Sequence, residues 1–462
     1  MRQGLRVAVR RALNEVTAVM LTLACAGQAG AVPSFARQTG FECSVCHVSW
    51  PELTSVGRQF KLGGYTLSRP ADGERPLVSF GKDTSPPLIP LAAFVQASVS
   101  RTSKANAAGA DPTLFDKNGA LVLQQASLFL AGRIAEHAGG FVQWSYDGIA
   151  HHSAIDNVDL RLAGRYARDT FDLSYGLSLN NSPTLSDIYN ATPVWGFPFA
   201  GPGVAITPAA SPLIQGGLAQ QVAGLTAYAL WNRTLYTEVG GYRTADGALS
   251  VLRAGIDRSE VARLDGPAPY WRLGLQREWG EGTHSLMLGT FGLIARKYPD
   301  PAIATGPTDK FQDVGVDAQY QFVSDTHRLS AQIAYIRERQ RLNGSFASGR
   351  STNATHRLDS LNSKLTYYFM TRYGVSLGYQ RLGADADMAL YATGDPITGS
   401  AGGRPDNSAA VIEFNWLPWR DKRITLQYTA YQKFNGTRIN YDGFGRNAGD
   451  NNTLFLLAWF VF

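Results

Sequence analysis

From about Leu91 to the C-terminus the chain reads as strand after strand. In the stretch Val314–Phe322, Val314, Val316, Ala318, Tyr320 and Phe322 share one parity, and Gly315, Asp317, Gln319 and Gln321 share the other. The same split recurs in Val158–Leu162, Val375–Tyr379 and Ile424–Ala430. A period of two places the apolar set on one face of a sheet and the polar set on the other. A soluble β-sandwich alternates in the same way, so connection lengths must decide between the two. About sixteen strands can be counted, joined alternately by short and long connections. Short turns fall at Glu136–Ala138, Arg168–Asp169, Asn232–Arg233, Gly280–Glu281, Ser324–Thr326, Thr371–Arg372 and Pro418–Arg420. Between them lie the long polar loops Arg101–Gly119, Asn180–Gly216, Ala245–Pro269, Lys297–Asp309, Leu342–Arg357, Gly383–Asp406 and Gly436–Gly449, with one short outer connection at Gly148–Ser153. Short turns on one rim and long loops on the other predict an all-β chain: an outer-membrane antiparallel β-barrel over residues 91–462, with both ends on the periplasmic side.

The last strand, Leu454–Phe462, ends in an aromatic residue, as barrel-terminal strands do, yet it is apolar on both faces. A lumen contact with a plug would account for that second apolar face. Inward polar positions such as Asp159, Arg161, Arg165, Asp317 and Lys364 suit either water or a plug. Ahead of the barrel, Ser49-Trp50-Pro51-Glu52 has the form of a capping box, with Ser49 as N-cap and Pro51 in the first turn of a helix. Leu53, Val56 and Phe60 carry that helix on to a stop at Gly63-Gly64. Residues 32–90 are thus a small helical segment, too short to fold alone. The Pro-rich stretch Ser85–Pro90 joins it to the barrel.

The first residues carry Arg2, Arg6, Arg10 and Arg11, then an apolar run from Val16 to Ala26, then Ala29-Gly30-Ala31. That pattern predicts a secretory signal peptide over residues 1–31. Cys25 raises lipidation, but Thr22 stands where a lipobox has Leu. The formal charge is +6, and the signal's four Arg and one Glu account for +3 of it, leaving about +3 on the mature chain, too little to argue for nucleic acid. No later run of apolar residues is long enough for a transmembrane helix.

The strongest local chemistry is Cys43-Ser44-Val45-Cys46-His47, the attachment signature of a c-type haem. Each thiol can add to one vinyl group, and the adjacent imidazole can ligate the iron. Cofactor binding is therefore assigned to Cys43, Cys46 and His47, with His47 as the metal ligand and one covalent haem c as the cofactor. A thiol–disulfide pair would want a thioredoxin-like setting, and a tetrahedral zinc site would want two further ligands nearby; neither follows in the sequence. Arg37, Arg58 and Lys61 are either partners of the haem propionates or a solvated basic surface.

The run Phe35-Ala36-Arg37-Gln38-Thr39-Gly40, the C-x-x-C-H motif, Pro51-Glu52-Leu53 and Gly57-Arg58-Gln59-Phe60-Lys61 through Gly64-Tyr65 resembles the N-terminus of the outer-membrane monohaem cytochrome–porin fusions. The match spans about residues 33–67, with Val56 standing where an aromatic is expected. The best-known members of that family oxidise Fe(II). The resemblance implies an outer-membrane protein of a Gram-negative bacterium that takes electrons from extracellular Fe(II) and passes them to a periplasmic c-type cytochrome or copper protein. Its activity would be that of an Fe(II):cytochrome c oxidoreductase.

Because the helical segment directly precedes the first strand, it is expected at the periplasmic mouth or inside the lumen. There it would plug a channel that a barrel of this size otherwise leaves open. A sixth iron ligand would come from His137, His151, His152, His284, His327 or His356, or from none of them; Met287, Met370 and Met388 read as packing residues. A funnel for a hard dication should show clustered outer carboxylates. The nearest approach to one is Asp385 with Asp387, followed by Asp395 and Asp406. Two function classes follow: an electron-transfer protein, whose donor or direction of flow is open beyond the resemblance, and a diffusion porin with a haem-bearing gate or sensor.

Overall fold

The computed structural model describes residues 34–67, 76–78, 89–105, 117–202, 205–255, 261–392, 396–419 and 421–462. The expected signal peptide with Cys25, the stretch Ser85–Pro87 and Asp395 lie outside the described residues. Eight strands make up the first half of the barrel: β1 (Leu91–Thr102), β2 (Leu121–Ala135), β3 (Ala138–Asp147), β4 (His152–Arg168), β5 (Phe171–Asn180), β6 (Val222–Trp231), β7 (Leu235–Thr244) and β8 (Ala268–Trp279). The second half is β9 (His284–Lys297), β10 (Asp309–Val323), β11 (His327–Arg341), β12 (Thr355–Phe369), β13 (Tyr373–Ala384), β14 (Asn407–Trp419), β15 (Lys422–Lys433) and β16 (Thr453–Val461). Each strand pairs antiparallel with its neighbours in sequence, and β1 pairs with β16, closing the barrel. Closure leaves no edge strand with unpaired backbone groups, which a bilayer would not tolerate.

Side-chain parity follows the sequence pattern. On β10, Val314 and Val316 are exposed on the outer face, while Asp313, Asp317, Gln319 and Gln321 are buried on the inner one. The short turns are tight: Asn232 and Arg233 adopt φ of 46° and 54°, and Met370 and Thr371 adopt 50° and 54°. Such paired positive φ values match the twist of the strands they join. No helix among the described residues is long and apolar enough to cross a membrane.

The lumen is filled by two parts of the chain. The first is the N-terminal segment, with short helices α1 (Ser34–Thr39), α2 (Cys43–Cys46) and α3 (Ser55–Leu62). Helix α3 starts later than the Ser49–Glu52 pattern suggests. Thr54 is its N-cap and accepts a hydrogen bond from Gly57 N at 3.2 Å. Residues 48–53 form a turn instead, closed by Val48 N donating to Glu52 O at 3.2 Å and by pairing of His47 with Leu53. The Glu52 carboxylate does not reach back to cap Ser49, because it is drawn to Lys364 of β12 at 2.5 Å. The helix stop is as expected, with Gly63 at the cap and Gly64 at φ 66°.

The second part is the connection between β5 and β6, described over residues 181–202 and 205–221. It was expected among the outer polar loops, but it folds into the barrel, and residues 181–190 are all buried. Two interactions decide this. Arg272 of β8, fully buried, donates to Asp187 at 3.2 Å and to Asp317 of β10 at 2.5 and 2.8 Å. Further along, Leu213 N donates to Glu338 at 2.6 Å and Ile214 N to Asp313 at 2.9 Å. Ile188 and Tyr189 then pack with Leu62, Tyr228 and Met287, so Met287 faces the lumen rather than lipid.

The N-terminal segment is bonded to the wall around much of its perimeter. Arg58 pairs with Glu278 of β8 at 2.8 Å and donates to Gln321 of β10 at 2.8 Å. Tyr65 Oη donates to Asp159 of β4 at 2.6 Å, Tyr228 Oη of β6 to Leu62 O at 2.9 Å, and Gln321 Nε2 to Leu53 O at 3.0 Å. Removing one partner of such a buried bond leaves the other unsatisfied, which costs more than the bond itself contributes.

Candidate functional site

Helix α2 is a single turn, and its geometry brings Cys43, Cys46 and His47 to one place. His47 N donates to Cys43 O at 2.9 Å, which fixes the turn. Thr54 N donates to Cys46 O at 2.9 Å and Thr54 Oγ1 to Val45 O at 2.6 Å, so the cap of α3 also clamps α2. Arg328 of β11 reaches in from the wall and donates to the carbonyls of Ser44 and His47. Gly57 sits directly beneath, where a Cβ would overlap the Cys46 carbonyl oxygen.

The two thiols are not joined in a disulfide and are half-buried. Burial, and then the neighbouring Cys43, push the Cys46 thiol up to about 11. A thiol–disulfide exchange pair needs the opposite shift, toward a ready thiolate, so this setting does not suit that chemistry. Nor is there, among the described residues, a cluster of three or more His, Cys, Asp or Glu side chains that could hold a metal ion.

His47 is held neutral. Burial drives it down to about 4, against the smaller opposing pull of the Glu52 and Pro51 carbonyls. Its Nδ1 is buried and makes no hydrogen bond. The ring stacks on Trp50, with centroids 3.9 Å apart and planes at 23°. A neutral imidazole is the form that ligates a metal.

Both thiols and the imidazole line a cavity of about 390 Å3. Its plug side is Phe35, Phe60 and Tyr65; its wall side is Phe94, Phe129, Phe141 and Trp459; the inward loop adds Trp195 and Phe199. Trp459 lies 5.9 Å from Trp50 and 5.4 Å from Phe94, ring centre to ring centre, so the inner apolar face of β16 does meet the plug. Porin lumens are normally polar, which makes this aromatic sector a departure from the rest of the wall. Toward β2–β4 the lining turns polar with Gln125, Gln143, Asp156 and Asn157. These side chains are tied to the wall and to one another: Gln125 donates to Asp156 at 3.1 Å and Asn157 to Gln143 at 3.2 Å.

Several sequence-level candidates are employed elsewhere. Arg58 holds Glu278, and Arg37 donates to the Leu91 carbonyl. Lys61 is buried and donates to Leu185 O at 2.8 Å, Asp187 O at 2.7 Å and Asn190 Oδ1 at 2.8 Å. Burial lowers it to about 7. Arg37, although exposed, and Arg58 fasten the plug to the barrel wall, and Lys61 fastens it to the inward loop. Of the inward polar positions, Asp159, Arg161, Asp317 and Lys364 are buried against plug or inward loop, whereas Arg165 is exposed and pairs with Asp172 at 2.8 Å.

The histidines are scattered. His137 is exposed in the β2–β3 turn, and His151 and His152 are exposed at the short outer connection. His284 stacks on Trp279, and His327 on Tyr367, on the parity opposite to the inward Ser285 and Arg328. His356 is buried against Asp387 at 3.0 Å. Asp387 is committed as well, accepting from Ser351, Thr352 N and Asn353 N, and Asp385 accepts from Arg357 N, so that pair builds loops rather than a cation funnel.

The cavity aromatics were not singled out from sequence, though a signal exists. Phe94 shares parity with Gln96, Ser98 and Ser100, and Phe141 with Gln143 and Ser145, so each is an aromatic on the polar parity of its strand.

No family model matches the chain, and no curated protein does. Among solved structures, Pseudomonas putida OprB is 11% identical, with 80% of this chain and 93% of that chain covered and a TM-score of 0.50. The outer membrane channel DcaP of Acinetobacter baumannii is 15% identical, with coverages of 80% and 96% and a TM-score of 0.43. At such identity the likeness to OprB shows the fold alone. The chain has the fold of an outer-membrane porin: a closed sixteen-stranded antiparallel barrel with a few short helices at its N-terminal end.

Proposed function

We propose that the protein is an outer-membrane electron-transfer protein in which Cys43 and Cys46 attach one haem c and His47 ligates its iron. The observation that carries the reading is the opening of the C-x-x-C-H turn onto an aromatic-lined cavity within the barrel. The residues present fit such a group: two thiols not joined in a disulfide, a neutral imidazole, and flat apolar walls. Bound there, haem supplies a one-electron couple. The chain's own contributions are separate from that chemistry. Thr54, Gly57 and Arg328 hold the attachment turn in shape. The aromatic rings exclude water, which in general tunes the potential of a buried iron. The plug-to-wall bonds oppose free passage of solute, which favours electron transfer over the reading as a gated diffusion porin.

The donor proposed is extracellular Fe(II), on the strength of the family resemblance, with a periplasmic c-type cytochrome or copper protein as acceptor. The test is expression with c-type haem maturation, followed by visible spectra of the denatured and native protein. A covalent Soret band and its reduction by Fe(II), at neutral or acidic pH, are expected. A chain without covalent haem sinks the reading; reduction by dithionite but never by Fe(II) removes iron as the donor.

A further inference from the structure

The identity of a second axial ligand is a question that the tertiary structure can address from the chain's own residues. The strong protein ligands of haem iron are few, with histidine and methionine foremost. All seven histidines of the chain fall among the described residues, and only His47 lines the cavity. The other six lie in turns, on the outer face of the barrel or against Asp387. Outside the expected signal segment the methionines are Met287, Met370 and Met388. Met287 packs in the lumen cluster with Leu62 and Tyr236, and Met370 and Met388 are exposed. None of the three lines the cavity.

The amine, phenol and carboxylate groups nearest in ligating strength at the cavity are already bonded. Lys61 Nζ has three acceptors within 2.8 Å, and withdrawing it would strand all three in a buried setting. Tyr65 Oη donates to Asp159, whose carboxylate also holds Arg161 at 2.9 Å and Ser178 at 2.7 Å. Asp156 accepts from Ser145 at 2.9 Å and from Gln220 at 2.9 Å.

We propose that an iron held at His47 receives no strong second ligand from the described residues, and that the cavity is a binding site for small exogenous ligands: water at rest, and a neutral diatomic when reduced. The proposal rests on the haem reading above and adds a property that reading does not require. An electron-transfer haem with two protein ligands would be closed to such molecules.

The experiment uses the purified, haem-loaded full-length mature protein. The ferric form is examined by electron paramagnetic resonance, and the dithionite-reduced form is titrated with carbon monoxide. The expected result is a high-spin ferric signal and a Soret shift that saturates at one carbon monoxide per haem. A low-spin ferric signal together with a reduced spectrum indifferent to carbon monoxide overturns the proposal while leaving the electron-transfer reading intact. A low-spin signal that becomes high-spin in Lys61→Gln also overturns it, in favour of Lys61. Absence of covalent haem defeats both.

Discussion

Gly57 holds α3 against the C-x-x-C-H turn at a separation that no side chain permits, because a Cβ there would overlap the Cys46 carbonyl. Gly57→Val should force the two apart at a cost of about 1–3 kcal/mol, the usual penalty for overpacking a fitted contact. The measurement is covalent haem per folded barrel, which should fall in Gly57→Val. It should stay at the parental level in Gly383→Ala, where a Cβ would meet nothing within 4 Å. Equal haem content in the two variants would mean that the close contact has no part in presenting the thiols. His47 illustrates a different residue-scale point. The motif alone shows that an imidazole adjoins the thiols. That the imidazole is neutral follows from burial, which no short motif encodes.

At the scale of elements, the outer loop between β13 and β14 is organised by one carboxylate. Asp387 caps the short helix Met388–Tyr391, accepting from Ala389 N at 2.9 Å and Leu390 N at 3.0 Å, and it also gathers Ser351, Thr352 and Asn353 of the neighbouring connection and His356 at the start of β12. Those bonds favour its ionised form and hold it well below the usual carboxylate range, although burial opposes them. A carboxylate lowered on folding adds stability that is complete above its unfolded pKa, near 3.9, and is lost as pH falls toward the folded value. Hydrogen exchange in residues 385–392 and 350–356 should therefore accelerate as pH drops below about 4, after correction for intrinsic rates. Asp387→Asn should show faster exchange already at pH 6. Exchange that is flat with pH and indifferent to the substitution would disprove the latch. Sixteen strands and their alternating connections were legible because parity and length are local properties. The inward course of residues 181–221 was not, since it depends on Arg272, Asp317, Asp313 and Glu338, which are far away in sequence. The early helix start at Ser49 failed for a related reason: Glu52 is claimed by Lys364, a strand partner that the capping pattern does not see.

For the whole molecule, the plug is fastened to its sleeve by bonds to several strands. Lys364→Met would leave the Glu52 carboxylate buried without its charge partner, which typically costs about 3–5 kcal/mol. In planar bilayers the parent protein should pass little current, and the Lys364→Met variant should open more often and conduct more. A parent that conducts like an open porin would contradict a sealed lumen. The amino-acid order by itself determined the barrel, its strand number, its two unlike rims and the thiol–thiol–imidazole turn, because each rests on spacing within a few residues. Tertiary structure alone decided that the turn faces an aromatic cavity, that Arg58 and Lys61 serve as fasteners, and that six histidines lie away from the cavity. Those outcomes depend on which wall a residue meets after closure, and closure brings together positions hundreds of residues apart, as Ser44 with Arg328 and Trp50 with Trp459.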